Sequence, residues 1–394
     1  MSILIIFIVL FFLYTILIYY YSLWLYNNSY KYYRPIKNPK DPKKDVHSLY
    51  PEFRLDFPLK FSRLFFGSFF FLPFRAFCFC FLGLVCELHF IYVEKFYKNP
   101  ETNKESFKHY IFPASFYTWC FTKAMNVKYN KIKVKEIENI YKKYLGENYD
   151  FTLKDFCCYI CNHTGFFEIL FNMSEFHAGF MSKEDVLKIP FIGRISKGVC
   201  CLYVNRENQK NRDEIFNLLQ KRLIDYYNKK NLFPLVMFPE GTTTNGKYIL
   251  SFKKGTFMPL LPVKPEIIGV YPEDEFNLAC GATNVTFILL RAMSFFGHRM
   301  SHIEMPVIKP TEFMFKNYKK FGKEKWEIYA EVCRRIMSEV GGLKMSDKSY
   351  RDMKCYNKAM ISGVYEPDIN NNDVKDEKEN KKNDRISNIN KIIK

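Results

Sequence analysis

Asn162-His163-Thr164-Gly165-Phe166-Phe167-Glu168 sets an imidazole and a carboxylate five positions apart, directly after a strand-like run. In an unbroken helix, residues at that spacing lie about 140° apart around the axis and do not meet. Thr164 and Gly165 supply a turn, so Glu168 in the first turn of a following helix folds back onto His163. Such a pair has a defined chemistry. The carboxylate on one ring nitrogen fixes the tautomer and stabilises the imidazolium, and the other nitrogen takes a proton from a hydroxyl nucleophile. Taken by itself, the pair equally describes a structural histidine at a helix start.

Two further segments hold groups suited to anions. Phe238-Pro239-Glu240-Gly241-Thr242-Thr243-Thr244-Asn245-Gly246 joins glycines, which permit close backbone approach, to three threonine hydroxyls. Gly198 to Arg206 reads as a strand that ends in an arginine, a side chain that holds phosphate through two parallel hydrogen bonds. Lys253 and Lys254 are further contacts for phosphate or, equally, a solvated loop.

The elements that must position these groups follow from the pattern of apolar runs. Residues 150–310 alternate short apolar or β-branched runs with helical periodicity, the mark of an α/β domain. Strands are expected over Phe156 to Cys161, Cys200 to Val204, Leu232 to Phe238 and Glu266 to Val270. Helices are expected over Gly165 to Phe176, Arg212 to Lys230 and Lys323 to Val340, with Thr283 to Phe296 a buried or interfacial helix. All three motifs then fall at carboxyl ends of strands, where open α/β sheets place their ligands.

Ahead of that domain lies membrane chemistry. Ile3 to Tyr26 is 24 residues without a charge, where about 20 helical residues cross a bilayer core. No basic residue precedes the run and large aromatics (Tyr19, Tyr20, Tyr21, Trp24, Tyr26) end it, the pattern of an uncleaved anchor with an interfacial belt. Residues 27–60 carry eight basic and four acidic side chains, which places that flank in the cytosol. A second apolar run, Leu64 to Val93, is interrupted by Pro73 and Arg75. With basic residues on both sides, it is expected as a re-entrant or interfacial helix pair broken near Pro73, with a true second span as the alternative and Arg75 snorkelling to head groups. The chain divides into an anchor and basic linker (1–60), re-entrant or interfacial membrane helices (61–130), a mixed-sheet α/β domain (131–355) and a disordered polar tail (356–394).

The composition sets bounds on partners. Of the 394 residues 48% are hydrophobic and 18% aromatic, which excludes an intrinsically disordered chain, and the net charge of +18 predicts attraction to something anionic or, equally, reflects in part an A/T-rich coding sequence. No zinc-finger spacing, RNA-binding aromatic signature or basic recognition helix is present, so no nucleic acid is expected. Twelve cysteines sit in apolar runs, as in a reduced, cytosol-facing protein. Cys158 and Cys161 with Cys200 and Cys201 offer four sulfurs, but strand burial explains them and no metal is expected.

Together the motifs resemble those of the glycerophospholipid acyltransferase superfamily: N-H-x-x-x-x-D, an arginine closing the second motif, and F-P-E-G-T. The segments IPFIGRISKGVCCLYVNRE (189–207), FPEGTTTNGKYILSFKKGTF (238–257) and EVCRRIMSEVGGLKMSDKSYRDMK (331–354) look like the lysophosphatidylcholine and lysophosphatidylethanolamine acyltransferase branch. The resemblance covers about residues 60–355. It implies that His163 is the general base for the free hydroxyl of a lysophospholipid, which attacks the thioester of acyl-CoA, and that Glu168 orients and charge-stabilises His163. Arg206, Glu240 and Gly241 would hold the acceptor's phosphate and glycerol, Thr242 would border them, and Asn162 and Pro239 would support the loops. Pro262-Val263 resembles the weaker fourth motif or an ordinary start of a strand. No cofactor is implied beyond acyl-CoA as co-substrate, and the location implied is the endoplasmic reticulum membrane with the domain facing the cytosol. Glycerol 3-phosphate or lysophosphatidic acid is the alternative acceptor, and a weakly active scaffold the alternative class. The departure is Glu168, which stands where the family has Asp and carries its carboxylate one methylene farther out.

Overall fold

The computed structural model describes residues 2–30, 34–38, 41–54, 60–189, 191–204, 209–270 and 285–365. Three long helices open the chain: α1 (Ser2–Tyr30), α2 (Phe61–Phe96) and α3 (Lys104–Ala124). Among the described residues α1 and α2 are the two long and apolar enough to cross a membrane. The break expected at Pro73 does not occur, and α2 runs as one helix through it. Proline at 73 removes the N–H that would bond the carbonyl of Phe69, and the Tyr14 hydroxyl of α1 donates to that carbonyl instead. In hydrocarbon an orphaned carbonyl must find such a partner. Ring contacts of Tyr26 and Tyr19 with Phe61, and of Phe11 with Phe69, set α1 and the start of α2 antiparallel.

Arg75 does not snorkel. Its side chain is 1% exposed and donates to the carbonyls of Ala124 (3.1 Å), Met293 (3.0 Å), Phe295 and Phe296 (3.1 Å). Ala124 ends α3 and Met293 ends the helix Val285–Met293, with Phe295 and Phe296 in the turn just past it; the last carbonyls of a helix lack intrahelical partners and carry the negative end of its dipole. Farther along α2, Phe90 packs where a side chain at Gly198 would be, and Phe191 where one at Gly83 would be. Arg194 binds Glu87 (2.5 Å) and Glu94 (2.7 Å), two turns apart on α2. The opposite face of α2 exposes Phe70, Phe74, Phe77, Phe81, Leu84, Leu88 and Ile91, an apolar stripe at helical spacing. Phe112, Phe116 and Trp119 do the same on α3.

The domain that follows is built on seven strands: β1 (Val127–Lys131), β2 (Tyr159–Cys161), β3 (Gly179–Lys183), β4 (Leu202–Val204), β5 (Leu235–Met237), β6 (Lys264–Val270) and β7 (His298–Glu304). Their order is β1-β7-β6-β2-β5-β3-β4. Neighbours from β6 to β4 are parallel. β7 is antiparallel to β6 and parallel to β1, which makes the sheet mixed. Alternate residues serve two cores: Cys161, Val236 and Ile268 face one, Ile160, Leu235 and Ile267 the other. Burial on both faces is why these strands read as apolar runs without polar alternation.

Besides the short helix Glu312–Asn317, seven helices complete the layers among the described residues: α4 (Ile137–Leu145), α5 (Phe167–Phe176), α6 (Ile192–Gly198), α7 (Gln209–Tyr227), α8 (Val285–Met293), α9 (Lys325–Gly341) and α10 (Tyr350–Ser362). α2, α3, α5 and α8 share the first core, whereas α4, α7 and α9 share the second. The expected tail boundary at 356 moves outward, because α10 continues to Ser362. Tyr356 and Met360 are buried in a third cluster with Val46, Tyr50 and Phe53, and Tyr50 and Tyr365 join hydroxyls at 3.0 Å. Residues 366–394 lie outside the described residues.

Candidate active site

β2, β5, β3 and β4 are parallel neighbours, so their carboxyl ends share one edge of the sheet, and β2 and β5 deliver the first and third motifs side by side. Asn162, the first residue past β2, spends its amide on the next strand. It donates to the carbonyl of Ile268 and accepts from the N–H of Ile268, both at 2.9 Å. That clamp fixes the point from which His163 leaves the sheet.

Glu168 is the second residue of α5, and its side chain turns back over the bend at Gly165-Phe166. Oε1 accepts from His163 Nδ1 (2.7 Å), from the N–H of Thr164 (2.9 Å) and from the N–H of Gly165 (2.6 Å). Oε2 accepts from the Thr164 hydroxyl at 3.3 Å. Because the carboxylate only accepts, Nδ1 carries the proton, and Nε2 is left as an acceptor with no protein partner among the described residues. Burial pushes the Glu168 carboxyl up. The His163 hydrogen bond and charge and the backbone amides outweigh it and hold the group below its ordinary value. The imidazole is 19% exposed and the carboxylate fully buried, so solvent reaches the ring and not its carboxylate partner. The His163 ring stacks on Phe238 at 4.0 Å between centroids.

Glu240 has a different task from acceptor binding. It is 1% exposed, and both oxygens are engaged by backbone, with Oε1 accepting from the N–H of His163 (3.0 Å) and Oε2 from that of Leu250 (2.8 Å). Leu250 ends the strand Tyr248–Leu250, which pairs with Lys344–Ser346. Glu240 therefore ties the histidine loop to the third motif and, through that strand, to the carboxyl-terminal part of the domain. Burial pushes its carboxyl up to about 8, against the two amides that pull it down. A bond from the Thr244 N–H to the His163 carbonyl (2.8 Å) fastens the same loop a second time.

Gly241 adopts φ +68, a conformation that favours glycine, and any side chain there would collide with Lys253. Pro239 accepts from the Lys253 N–H at 2.9 Å. Thr242 is buried, and its hydroxyl makes no hydrogen bond among the described residues. Arg206 lies outside the described residues; its strand, β4, ends two residues earlier at the same edge. Val263 exchanges backbone bonds with Ile308, a strand-edge contact that gives Pro262-Val263 a packing role. Cys158, just before β2, and Cys161, its last residue, are both buried. No cluster of His, Cys, Asp and Glu among the described residues is arranged to hold a metal.

The backbone clamp made by Glu240 was not visible in the sequence, because a carboxylate beside glycine and threonines equally suggests a ligand contact. Phe238 was visible only as the last residue of an apolar run, with nothing to mark its ring as the platform under His163.

An Acyltransferase family model matches residues 131–272. The chain is 32% identical over 210 residues to the lysophospholipid acyltransferase LPEAT1 of Arabidopsis thaliana, a match covering 52% of this chain and 49% of that one. It is 31% identical over 159 residues to LPEAT2 of the same plant, covering 40% and 28%. Human lysophosphatidylcholine acyltransferase 2 is 27% identical over 198 residues, covering 49% and 34%. The chain thus spans at most about half the length of these relatives.

Proposed function

From a domain, residues 131–272, that belongs to the acyltransferase family and places the chain in the glycerophospholipid acyltransferase superfamily, we propose that the protein moves a fatty acyl group from acyl-CoA to the free hydroxyl of a lysophospholipid. The observation that carries the reading is the His163–Glu168 pair at the sheet's carboxyl edge, with Nδ1 held by a buried carboxylate and Nε2 without a protein partner among the described residues. Nε2 takes the hydroxyl proton as the oxygen attacks the thioester carbonyl. The tetrahedral intermediate collapses with release of the thiolate, and the imidazolium returns the proton to that sulfur. Glu168 stabilises the imidazolium while it exists and keeps the ring from flipping. The buried Thr242 hydroxyl and the Gly241 turn border the acceptor, and Arg206 adds a phosphate contact.

The membrane helices support a lipid acceptor. The exposed stripes of α2 and α3 offer apolar faces to a bilayer, and the basic flank after α1 favours the cytosolic side of an internal membrane such as the endoplasmic reticulum. The test is an assay of detergent-solubilised protein with labelled acyl-CoA and a panel of lysophospholipids, lysophosphatidic acid and glycerol 3-phosphate. Transfer to a lysophospholipid is expected, and His163→Ala is expected to abolish it. Transfer that survives the substitution refutes the mechanism, and preference for glycerol 3-phosphate or lysophosphatidic acid refutes the acceptor.

A further inference from the structure

α1 and α2 lie side by side, yet the chain takes 30 residues, 31–60, to pass from one to the other. Tyr26, one turn before the end of α1, already meets Phe61, the first residue of α2, at 5.9 Å between ring centroids. Neighbouring antiparallel helices need only about 2–8 residues between them. The excess length is spent on the α/β domain. In the described part of this connector Val46, Tyr50 and Phe53 share the third cluster with Leu250 and with Tyr356 and Met360 of α10. His47 donates from Nε2 to the carbonyl of Arg34 and accepts at Nδ1 from the Tyr356 hydroxyl, both at 3.1 Å. Glu52 accepts from the Ser346 hydroxyl at 2.6 Å.

Within the third motif, Asn245 receives the connector. It is 8% exposed. Its Nδ2 donates to the carbonyls of Pro51 (2.8 Å) and Arg54 (3.0 Å), and its backbone N–H donates to that of Glu52 (2.8 Å). An asparagine in a turn ordinarily spends its side chain on the turn itself, as Oδ1 does here by accepting from the Lys247 N–H at 3.2 Å. The amide donors instead reach segments 194 and 191 residues away in the chain. The flanking residues face the histidine loop. The Thr244 N–H donates to the His163 carbonyl at 2.8 Å, and a side chain at Gly246 would press on the Thr164 methyl at 3.1 Å. Three consecutive residues thus join the connector to the His163-Thr164 bend.

We propose that Asn245 is a positioning residue for acyl transfer: it holds the connector between the two membrane helices to the turn that fixes His163, so that the seating of α1 and α2 and the aim of the imidazole are coupled. The proposal rests on the acyl-transfer reading for its kinetic assay. The coupling runs through backbone, from the carbonyls of Pro51, Glu52 and Arg54 through Asn245 to the Thr244 N–H and the His163 carbonyl. A turn freed of the connector lets the histidine loop drift, and a shift of about 1 Å in a reacting group costs about 100-fold in rate.

The test is Asn245→Ala, which deletes the two side-chain donors and keeps the backbone N–H, in protein held in lipid nanodiscs, with circular dichroism as the check on folding. Asn245→Asp, which keeps the size and the acceptor for Lys247 but turns a carboxylate oxygen toward the two carbonyls, decides the question if the alanine variant does not fold. kcat is expected to fall about 10- to 100-fold, with the KM for acyl-CoA and for lysophospholipid each within about twofold of wild type. Hydrogen exchange should quicken at the amides of residues 46–54 and, with them, at those of His163 and Thr244. A kcat within about twofold of wild type, while His163→Ala abolishes transfer, overturns the proposal and leaves the proposed function standing. A raised KM at unchanged kcat overturns it by making Asn245 a substrate contact, and a fall in kcat with exchange at 46–54 unchanged does so by confining the effect to the turn. Wild type that transfers nothing refutes the proposed function instead, and exchange then decides the coupling: quickening in both segments upholds it, and anything less overturns it.

Discussion

Glu168 is the position at which shape and charge can be separated. Replacing it by Asp keeps the charge and withdraws the carboxylate by one methylene, about 1.5 Å. The contact to His163 Nδ1, now 2.7 Å, would open to roughly 4 Å, beyond hydrogen-bond range, and the amides of Thr164 and Gly165 would lose their acceptor as well. α5 cannot slide to compensate, because Phe167 and Phe171 on its inner face are buried in the first core. Losing a charge-assisted hydrogen bond costs about 1.5–3 kcal/mol, so kcat should fall roughly 10- to 150-fold with KM little changed. Glu168→Gln does the reverse, keeping the reach and removing the charge. A unit charge at 4 Å stabilises an imidazolium by roughly 4 kcal/mol near a protein surface. With the imidazole 19% exposed, solvent replaces part of that, which leaves an expected loss of about 10²- to 10³-fold in kcat. Stability gives a second measure. The carboxyl is held below its ordinary 4.5, so its contribution to folding is present above that value and is lost as the pH falls through the lowered one. Thermal melts of Glu168→Gln should lack that acid-induced loss. The assay is steady-state transfer of a labelled acyl group with kcat and KM resolved for each variant. Glu168→Asp matching or exceeding wild type would refute the reasoning, since the natural glutamate would then be a handicap on this backbone.

Glu240→Gln probes the clamp from the opposite direction. Its carboxyl is pushed up to about 8, so the wild-type fold should lose stability as the pH rises from the usual carboxylate range toward 8. The variant should be weaker by about 1 kcal/mol for a mismatched amide yet lack that slope, as thermal melts between pH 5 and 9 would register. Tyr14→Phe removes the hydroxyl that serves the carbonyl freed by Pro73, at a cost of about 0.6–1.7 kcal/mol within a bilayer. In a Pro73→Ala background the carbonyl regains its helical partner and the cost should vanish. Equal costs in both backgrounds, measured by denaturation in mixed micelles, would sever the link between the two helices.

What the sequence disclosed about this fold was local, and what it concealed was pairing. His163 and Glu168 were legible because five positions and one turn bring them together, and β2, β5 and β6 because burial on both faces makes them apolar runs. β7 was missed because histidines, an arginine and a serine interrupt its apolar residues. Those polar groups have partners that only the folded sheet provides: His298 meets the carbonyl of Ala292, and His302 meets the Tyr129 hydroxyl. Pro73 and Arg75 were misjudged for the same reason. A proline orphans a carbonyl and a buried guanidinium needs several acceptors, and from sequence both argue for a break or for escape to water. α1 supplies the missing donor and the ends of α3 and α8 the missing acceptors, so the same two residues become the points at which the membrane helices are fastened to one another and to the domain. Glu240 follows that pattern within the site. Its carboxylate is held by two amides drawn from segments about 90 residues apart, Asn162-His163 and Ile249-Leu250, so the third motif fixes the histidine's backbone through Glu240 while Phe238 stacks on its ring.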